Sequence, residues 1–244
     1  MRFTGDYHTH STYSDGRNTI VEMVDAARKK ELGEIAITDH GPRNIGVGVK
    51  GPGTFLVIKD EIGKLQENRE DIKILAGAEA NIISCAGEID IPVKIVKELD
   101  ILLVGLHPYV WPKTFLDGIS FVLGNQLSRA VPLFKKKIKN TNTKALVEAM
   151  HKYSVKAITH PGLGMPVDLD EVCRACLATD TAWEINTGHS FQTVNEVQKA
   201  ARKGVNFIVN SDAHFCKTVG TLESGLTLLT HANVDPEQII NIEV

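Results

Sequence analysis

The sequence predicts an α/β fold, a distorted (β/α)7 barrel of the TIM-like kind, and three observations lead there. Short apolar runs alternate with longer amphipathic stretches along almost all of the 244 residues, the pattern of parallel strands joined by crossover helices. With 43% hydrophobic residues, a chain of this length can bury roughly three quarters of its unfolded surface around one core. Six histidines fall at or just past the C-terminal ends of the apolar runs, the end at which a closed parallel barrel carries its chemistry. The expected organisation is a single domain over residues 1–244.

In chain order, strands are expected at Gly5 to His10, Glu34 to Asp39, Lys73 to Asn81, Ile101 to Gly105, Ala157 to Thr159, Ala182 to Asn186 and Asn206 to Val209. Most are short and apolar; the first, Gly-Asp-Tyr-His-Thr-His, is polar. The first helix is expected to be capped by Asn18 and to bury Ile20, Val21, Val24 and Ala27, which recur at helical spacing. Further helices are expected near Phe55 to Asn68, Asn142 to Tyr153, Asp168 to Thr179, Asn195 to Lys203 and Thr221 to Thr230. Two stretches break the rhythm and are expected to be loops over a site. Residues 41–53 hold five glycines and two prolines, and Tyr109 to Asn140 is too long for an ordinary connection. Trp111, Phe115 and Phe121 in the second stretch are expected to pack locally.

Composition narrows the function classes. No run of about 18 apolar residues exists to span a membrane, and histidines as early as His8 and His10 leave no room for a secretory signal, so the expected compartment is the cytoplasm. The four cysteines (Cys85, Cys173, Cys176 and Cys216) include a single CxxC, where a zinc ribbon needs two, and are expected as buried thiols. A net charge of -3 gives no general attraction to nucleic acid. The one basic run, Lys135, Lys136, Lys137 and Lys139, is expected as a solvated face.

The chemistry lies in the histidines. His8, His10, His40, His107, His160 and His214 sit at strand ends, and Glu79, Asp212 and Asp15 join the same rim. Imidazole with carboxylate suits zinc, manganese or iron. Alternate residues of a strand share a face, so both rings of His8-Thr-His10 point the same way and toward one metal. Nine donor residues exceed what one ion needs. A carboxylate such as Glu79 can bridge two ions about 4 Å apart, the spacing at which a shared hydroxide attacks phosphorus, so a multinuclear site of two to three divalent ions is expected.

Five motifs carry a family resemblance. They are Tyr-His-Thr-His at 7–10 with Ser-Asp-Gly at 14–16, Thr-Asp-His-Gly-Pro at 38–42, Gly-Ala-Glu at 77–79, Gly-Leu-His at 105–107 with Thr-His-Pro-Gly at 159–162, and Ser-Asp-Ala-His at 211–214. In this order the chain resembles the polymerase and histidinol phosphatase (PHP) superfamily over nearly its full length, and within it the stand-alone phosphatase branch. The resemblance implies a seven-stranded barrel with three metals on its C-terminal rim. It places His8, His10, Glu79 and Asp212 on the first metal, Glu79, His107 and His160 on the second, and His40 and His214 on the third. Many members carry a His where this chain has Asp15, a harder ligand.

The expected activity is therefore hydrolysis of a small phosphomonoester, with Glu79 and Asp212 central to catalysis. His189, just past the strand ending at Asn186, is the candidate proton donor and substrate contact, and Arg43, beside His40, can fork onto a phosphate. His151 and His231 lie in or at the ends of helices and are expected to be structural or exposed. The alternatives are a nuclease or nucleotide phosphodiesterase using the same metals, which the low charge disfavours, and a catalytically silent metal-binding module. An amidohydrolase would call for a strand-borne lysine where Glu79 stands.

Overall fold

The alternation becomes a barrel in the computed structural model, which describes residues 1–243. Along the chain run β1 (Arg2–Phe3), β2 (Gly5–Asp6), α1 (Ile20–Lys29), β3 (Glu34–Ile37), α2 (Thr54–Gln66), β4 (Lys73–Asn81), α3 (Val93–Val96) and β5 (Ile101–Gly105). There follow α4 (Phe115–Gly118), α5 (Gly124–Ala130), α6 (Pro132–Lys152), β6 (Ala157–Ile158), α7 (Leu169–Thr179), β7 (Ala182–Asn186), α8 (Val194–Ala201), β8 (Phe207–Asn210), α9 (Glu223–His231) and β9 (Ile242–Glu243). Strands β2 to β8 form one seven-stranded parallel sheet in sequential order. It closes at the C-terminal rim, where Thr9 bridges Ala213 in parallel, His10 N donates to Ala213 O (2.9 Å) and Ala213 N to His8 O (3.2 Å). A separate antiparallel pair, β1 with β9, is absent from the sequence-based expectation.

Two apolar cores follow from the two-residue period of the strands. Ala36, Leu103, Ala157, Ala182 and Ile208 fill the narrow interior, and a larger cluster, including Ile35, Ile37, Val104, Trp183 and Ile185, packs under the helices. Toward the rim the inward positions turn polar: Glu184 and Asn186 succeed Ala182 in β7, and Glu79 succeeds Leu75 and Gly77 in β4. A Cβ on Gly77 would lie 2.5 Å from Ile101 Cγ2, so only glycine lets β4 pass there.

Several expectations need correction. β2 stops at Asp6, and His8 and His10 lie beyond it, held by the closing bridge rather than by a continuous strand. The cap of α1 is Thr19, whose hydroxyl accepts from Glu22 N while the Glu22 carboxylate accepts from Thr19 N; Asn18 Oδ1 instead accepts from Cys216 N. The face of α1 buries Met23, and Val21 is exposed.

The stretch from Tyr109 to Asn140 is mostly helical. α4 runs through a π turn (Ile119–Leu123) into α5, and α6 starts ten residues before its expected Asn142. Phe121 is buried as expected, but Trp111 and Phe115 are exposed. The glycine-rich stretch meets this insertion: Asn44 bridges Val110, Ile45 N donates to Tyr109 O, and Trp111 N donates to Arg43 O. Of the cysteines, Cys173 and Cys176 are buried and Cys85 and Cys216 only half-buried. Lys135, Lys136 and Lys137 are exposed, whereas Lys139 pairs with Asp168 at 2.6 Å. His151 and His231 are exposed at helix ends. Among the described residues no helix is long and apolar enough to cross a membrane.

Candidate metal centre

The rim is built by the segments that follow the strands, and buried carboxylates hold those segments in place. Asp6 accepts from Ser211 N (3.1 Å) and Gly220 N (2.9 Å), Asp39 from Ser11 N (2.8 Å) and Ser11 Oγ (2.7 Å), and Asp90 from Asn81 N and Arg43 N, both at 2.9 Å. Each satisfies amides that would otherwise be left unpaired where the sheet ends. Burial pushes the Asp6 and Asp90 carboxyls up from the ordinary carboxylate range, against the opposing pull of these hydrogen bonds.

Glu79, wholly buried at the inward phase of β4, is the hub. Its Oε1 accepts from Thr159 Oγ1 at 2.7 Å and lies 2.9 Å from His160 Nε2 and 3.3 Å from His107 Nε2. Its Oε2 lies 2.6 Å from His40 Nδ1, 3.4 Å from His8 Nε2 and 4.0 Å from His10 Nε2. Gly105 makes room for this cluster, since a Cβ there would sit 2.4 Å from Thr159 Oγ1 and 2.8 Å from His107 Cε1. Asp212 Oδ1 is 3.1 Å from His10 Nε2 and 3.5 Å from His8 Nε2. Asp15 Oδ2 is 3.2 Å from His214 Nε2, and its Oδ1 is 3.8 Å from His40 Nε2.

All nine residues named as donors from the sequence thus converge. Three sets have donor atoms mutually within 4.8 Å: His10, Asp15, His40 and His214; His8, His10 and Glu79; and His40, Glu79 and His107. His189 stands at the edge, 51% exposed, with Nε2 3.5 Å from Asp212 Oδ2. Arg43 lies on the glycine-rich stretch, and its Nη1 donates to the carbonyls of Pro112 (2.9 Å) and Trp111 (3.4 Å).

Charge explains the titration of the cluster. Burial raises the Glu79 and Asp212 carboxyls, but the histidines around them outweigh it and hold both well below the usual range. Burial and the neighbouring His40 push His10 down to about 4. For His214, burial is outweighed by its hydrogen bond to Asp15 and the Asp212 charge, so it rises to about 9; Asp15 in turn is held at about 2.

Whether these residues suit divalent ions can be judged from their unpaired atoms. His8 Nε2, His10 Nδ1 and His107 Nδ1 are buried without a hydrogen-bond partner, and the close approaches of His40 Nδ1 to Glu79 Oε2 and of His107 Nε2 to Glu79 Oε1 lack hydrogen-bond geometry. Each such group costs about 1–3 kcal/mol when nothing satisfies it. Imidazole nitrogens and carboxylate oxygens aimed into shared spaces fit divalent ions of the zinc, manganese and iron type.

Sequence reasoning missed Glu184. It is wholly buried in β7, and its Oε1 lies 2.7 Å from His8 Nδ1 and accepts from Asn210 Nδ2 (2.9 Å). Its Oε2 accepts from His160 N (2.7 Å) and Asn186 Nδ2 (3.0 Å). Fixing Nδ1 of His8 turns Nε2 toward Glu79 and Asp212. An acid at the inward phase of an otherwise apolar strand, Ala-Trp-Glu-Ile-Asn, was the signal that could have found it. His160 and Asp212 themselves have φ of 30° and 52°, left-handed values rare for such residues, of the kind that surrounding hydrogen bonds must hold at functional sites.

The PHP domain family matches residues 6–213, a span that runs from the end of the first barrel strand through the last. The chain belongs to the PHP domain family. A relative from Caldanaerobacter subterraneus subsp. tengcongensis, named a "probable phosphatase", is 32% identical and spans all of this chain and 89% of its own length. A second "probable phosphatase", from Thermoanaerobacter sp., is 31% identical over all of this chain and 92% of its own. Among solved structures, a histidinol phosphate phosphatase from Lactococcus lactis, complexed with zinc, L-histidinol and phosphate, superposes with a TM-score of 0.67 at 19% identity. It covers 96% of this PHP chain and 95% of its own, and it establishes the shared fold. Family membership, full-length likeness to phosphatases and the donor cluster make this PHP protein a metal-dependent phosphatase.

Proposed function

We propose that this phosphatase hydrolyses a small phosphomonoester, of the size of a phosphorylated amino alcohol, at a centre of three divalent ions. One observation carries the reading: seven of the nine donors form three overlapping groups, His160 and Asp212 lie against two of their members, and buried nitrogens and an oxygen among them lack hydrogen-bond partners. Histidinol and phosphate in the Lactococcus structure support the substrate class. The net charge of -3 supports a small substrate over a polyanion.

His8, His10, Glu79 and Asp212 would hold one ion, Glu79, His107 and His160 a second, and Asp15, His40 and His214 a third. Ions bound there would supply Lewis acidity to the phosphoryl oxygens and a water of lowered pKa. The protein's own groups do the rest. Glu184 fixes the His8 ring through Nδ1, and Thr159 Oγ1 fixes one Glu79 oxygen, leaving Oε2 turned inward. His189, half-exposed beside Asp212, is placed to donate a proton to the leaving oxygen. Arg43, anchored on the insertion's carbonyls, is proposed to meet the substrate phosphate from the opposite loop.

The test is a substrate screen with zinc, manganese and iron each supplied, using L-histidinol phosphate, other phosphorylated metabolites and short oligonucleotides. Turnover concentrated on small phosphomonoesters is expected. Cleavage confined to oligonucleotides would replace this reading with a nuclease.

A further inference from the structure

An exposed apolar surface lies on the insertion, on residues that are not among the metal-donor candidates. Phe115, Ile119, Leu123 and Leu127 recur every four residues along the helical path from α4 to α5, and all are exposed, Phe115 by 83%. Four residues overshoot a turn of α-helix by about 40°. The wider π turn at Ile119–Leu123 falls short of a turn over the same span, so it offsets part of this drift and the four side chains stay within one broad face. The opposite face is spent inward: Phe121, Asn125 and Ser128 are buried, and Asn125 exchanges hydrogen bonds with Asn142 of α6 at 2.9 and 3.1 Å. Leu116 (72% exposed) widens the ridge, and Trp111 (64%) adjoins it, for Pro112 lies against Gly118.

We propose that this ridge is the contact between two copies of the chain in a two-fold dimer. Size is the first argument. With full aromatic areas of about 150–250 Å² each and somewhat less for the aliphatics, the six exposures amount to roughly 700 Å² of apolar surface. The largest patch on a typical monomer is about 300–600 Å². A stable pair needs about 800 Å² per partner, of which about 65% is apolar in homodimers. The ridge supplies that apolar share without help.

Charge is the second argument, and it selects the occupant. A two-fold contact sets one surface against itself, so any charge near the axis meets its own sign. From Trp111 to Ser128 the charged residues are Lys113, which pairs with Glu88, and Asp117. The Asp117 carboxylate is engaged locally, accepting from Thr114 N, Thr114 Oγ1 and Cys85 N. Lys113 is the one basic residue of this stretch and is paired, whereas an interfacial membrane helix is rich in lysine and arginine around its apolar face. Ridges of residues four apart also interdigitate with their like when two helices cross at about -50°.

Light scattering on the metal-loaded protein across a dilution series tests this. A mass of twice 26.7 kDa is expected at high concentration. Leu123→Glu with Leu127→Glu should halve it while leaving the circular dichroism and metal content unchanged. If that variant does not fold, Leu123→Ala with Leu127→Ala serves instead and should raise the dimer's dissociation constant by about tenfold or more. A one-chain mass at every concentration overturns the proposal, as does a doubled mass that both variants retain. Flotation of a one-chain species with phosphatidylcholine or phosphatidylglycerol vesicles would also overturn it, assigning the ridge to lipid.

Discussion

The two sides of the rim are built differently. On the inner side His8, His10 and Glu79 are wholly buried; Glu184, itself held by Asn186 and Asn210, fixes His8, Thr159 fixes Glu79, and Asp212 meets His10. On the outer side Asp15 and His214 remain 26% and 28% exposed, and Asp15 rides on a loop whose anchor is Asp39. Preorganised, dry donors bind ions more tightly than donors that must be ordered and stripped of water. Metal occupancy is therefore expected to be graded, with the outer ion exchanging first.

The largest effect should come from the residue that serves the inner ions together. Glu79→Gln keeps the shape but removes the buried charge, and loss of one partner from such a cluster costs about 3–5 kcal/mol. Turnover should fall by roughly a hundred- to a thousandfold, with circular dichroism unchanged; near-normal turnover would place the bridge elsewhere. Next, Glu184→Gln should weaken zinc retention by about ten- to a hundredfold in competition with a chromophoric chelator, although Glu184 would touch no ion. Unaltered retention would mean that the inner side is not held through His8.

Asp15→Asn probes the other side. Elemental analysis should find one ion fewer per chain and unchanged inner affinity; loss of two would break the division between the sides. Arg43→Ala should lower kcat/KM by about tenfold, on the scale of one charge-assisted hydrogen bond, with metal content intact. An effect on metal content instead would make Arg43 a loop anchor only.

The smallest effect concerns metal-free protein. His214 is raised to about 9 by Asp15 and Asp212 against the cost of burial. A histidine raised on folding stabilises fully below its unfolded value of about 6.5 and loses that contribution as pH climbs through its folded value. The thermal midpoint of chelated protein should therefore fall by a few degrees between pH 6.5 and 9.5, and Asp15→Asn should flatten that fall. An equal slope in both proteins would detach His214 from Asp15.

Legibility in the sequence followed the same division between strand and loop. β4, β5 and β7 have the bounds expected of them: polar or glycine residues mark their ends, Lys73 and Asn81 in β4, Asp100 and Gly105 at β5, Thr181 and Asn186 at β7. The donors were legible because a histidine or acid at the end of such a run lands on the C-terminal rim, whatever path the following loop takes. Glu184 was hidden inside a run, where its phase mattered more than its position. The first strand was drawn too long because His8 and His10 are held by hydrogen bonds from the far end of the chain, which no local pattern encodes. Thr19 and Asn18 are comparable caps by residue type, and Glu22, three residues after Thr19, decides between them. The insertion looked like a loop because Gly118 and Gly124 interrupt it and its apolar residues serve two faces, one of them outward.

The closing bridge between Thr9 and Ala213 has a consequence during synthesis. His8 and His10 emerge first, but Asp212 and His214 complete the rim only after some two hundred further residues have left the ribosome. Pairing across so long a separation is slow, because loop closure must precede any gain from contact. Until then the early histidines can form no more than weak, solvent-exposed complexes. The barrel thus delays tight metal capture until Asp212 and His214 have been made, and any truncation before β8 should yield a chain that neither closes nor retains its ions.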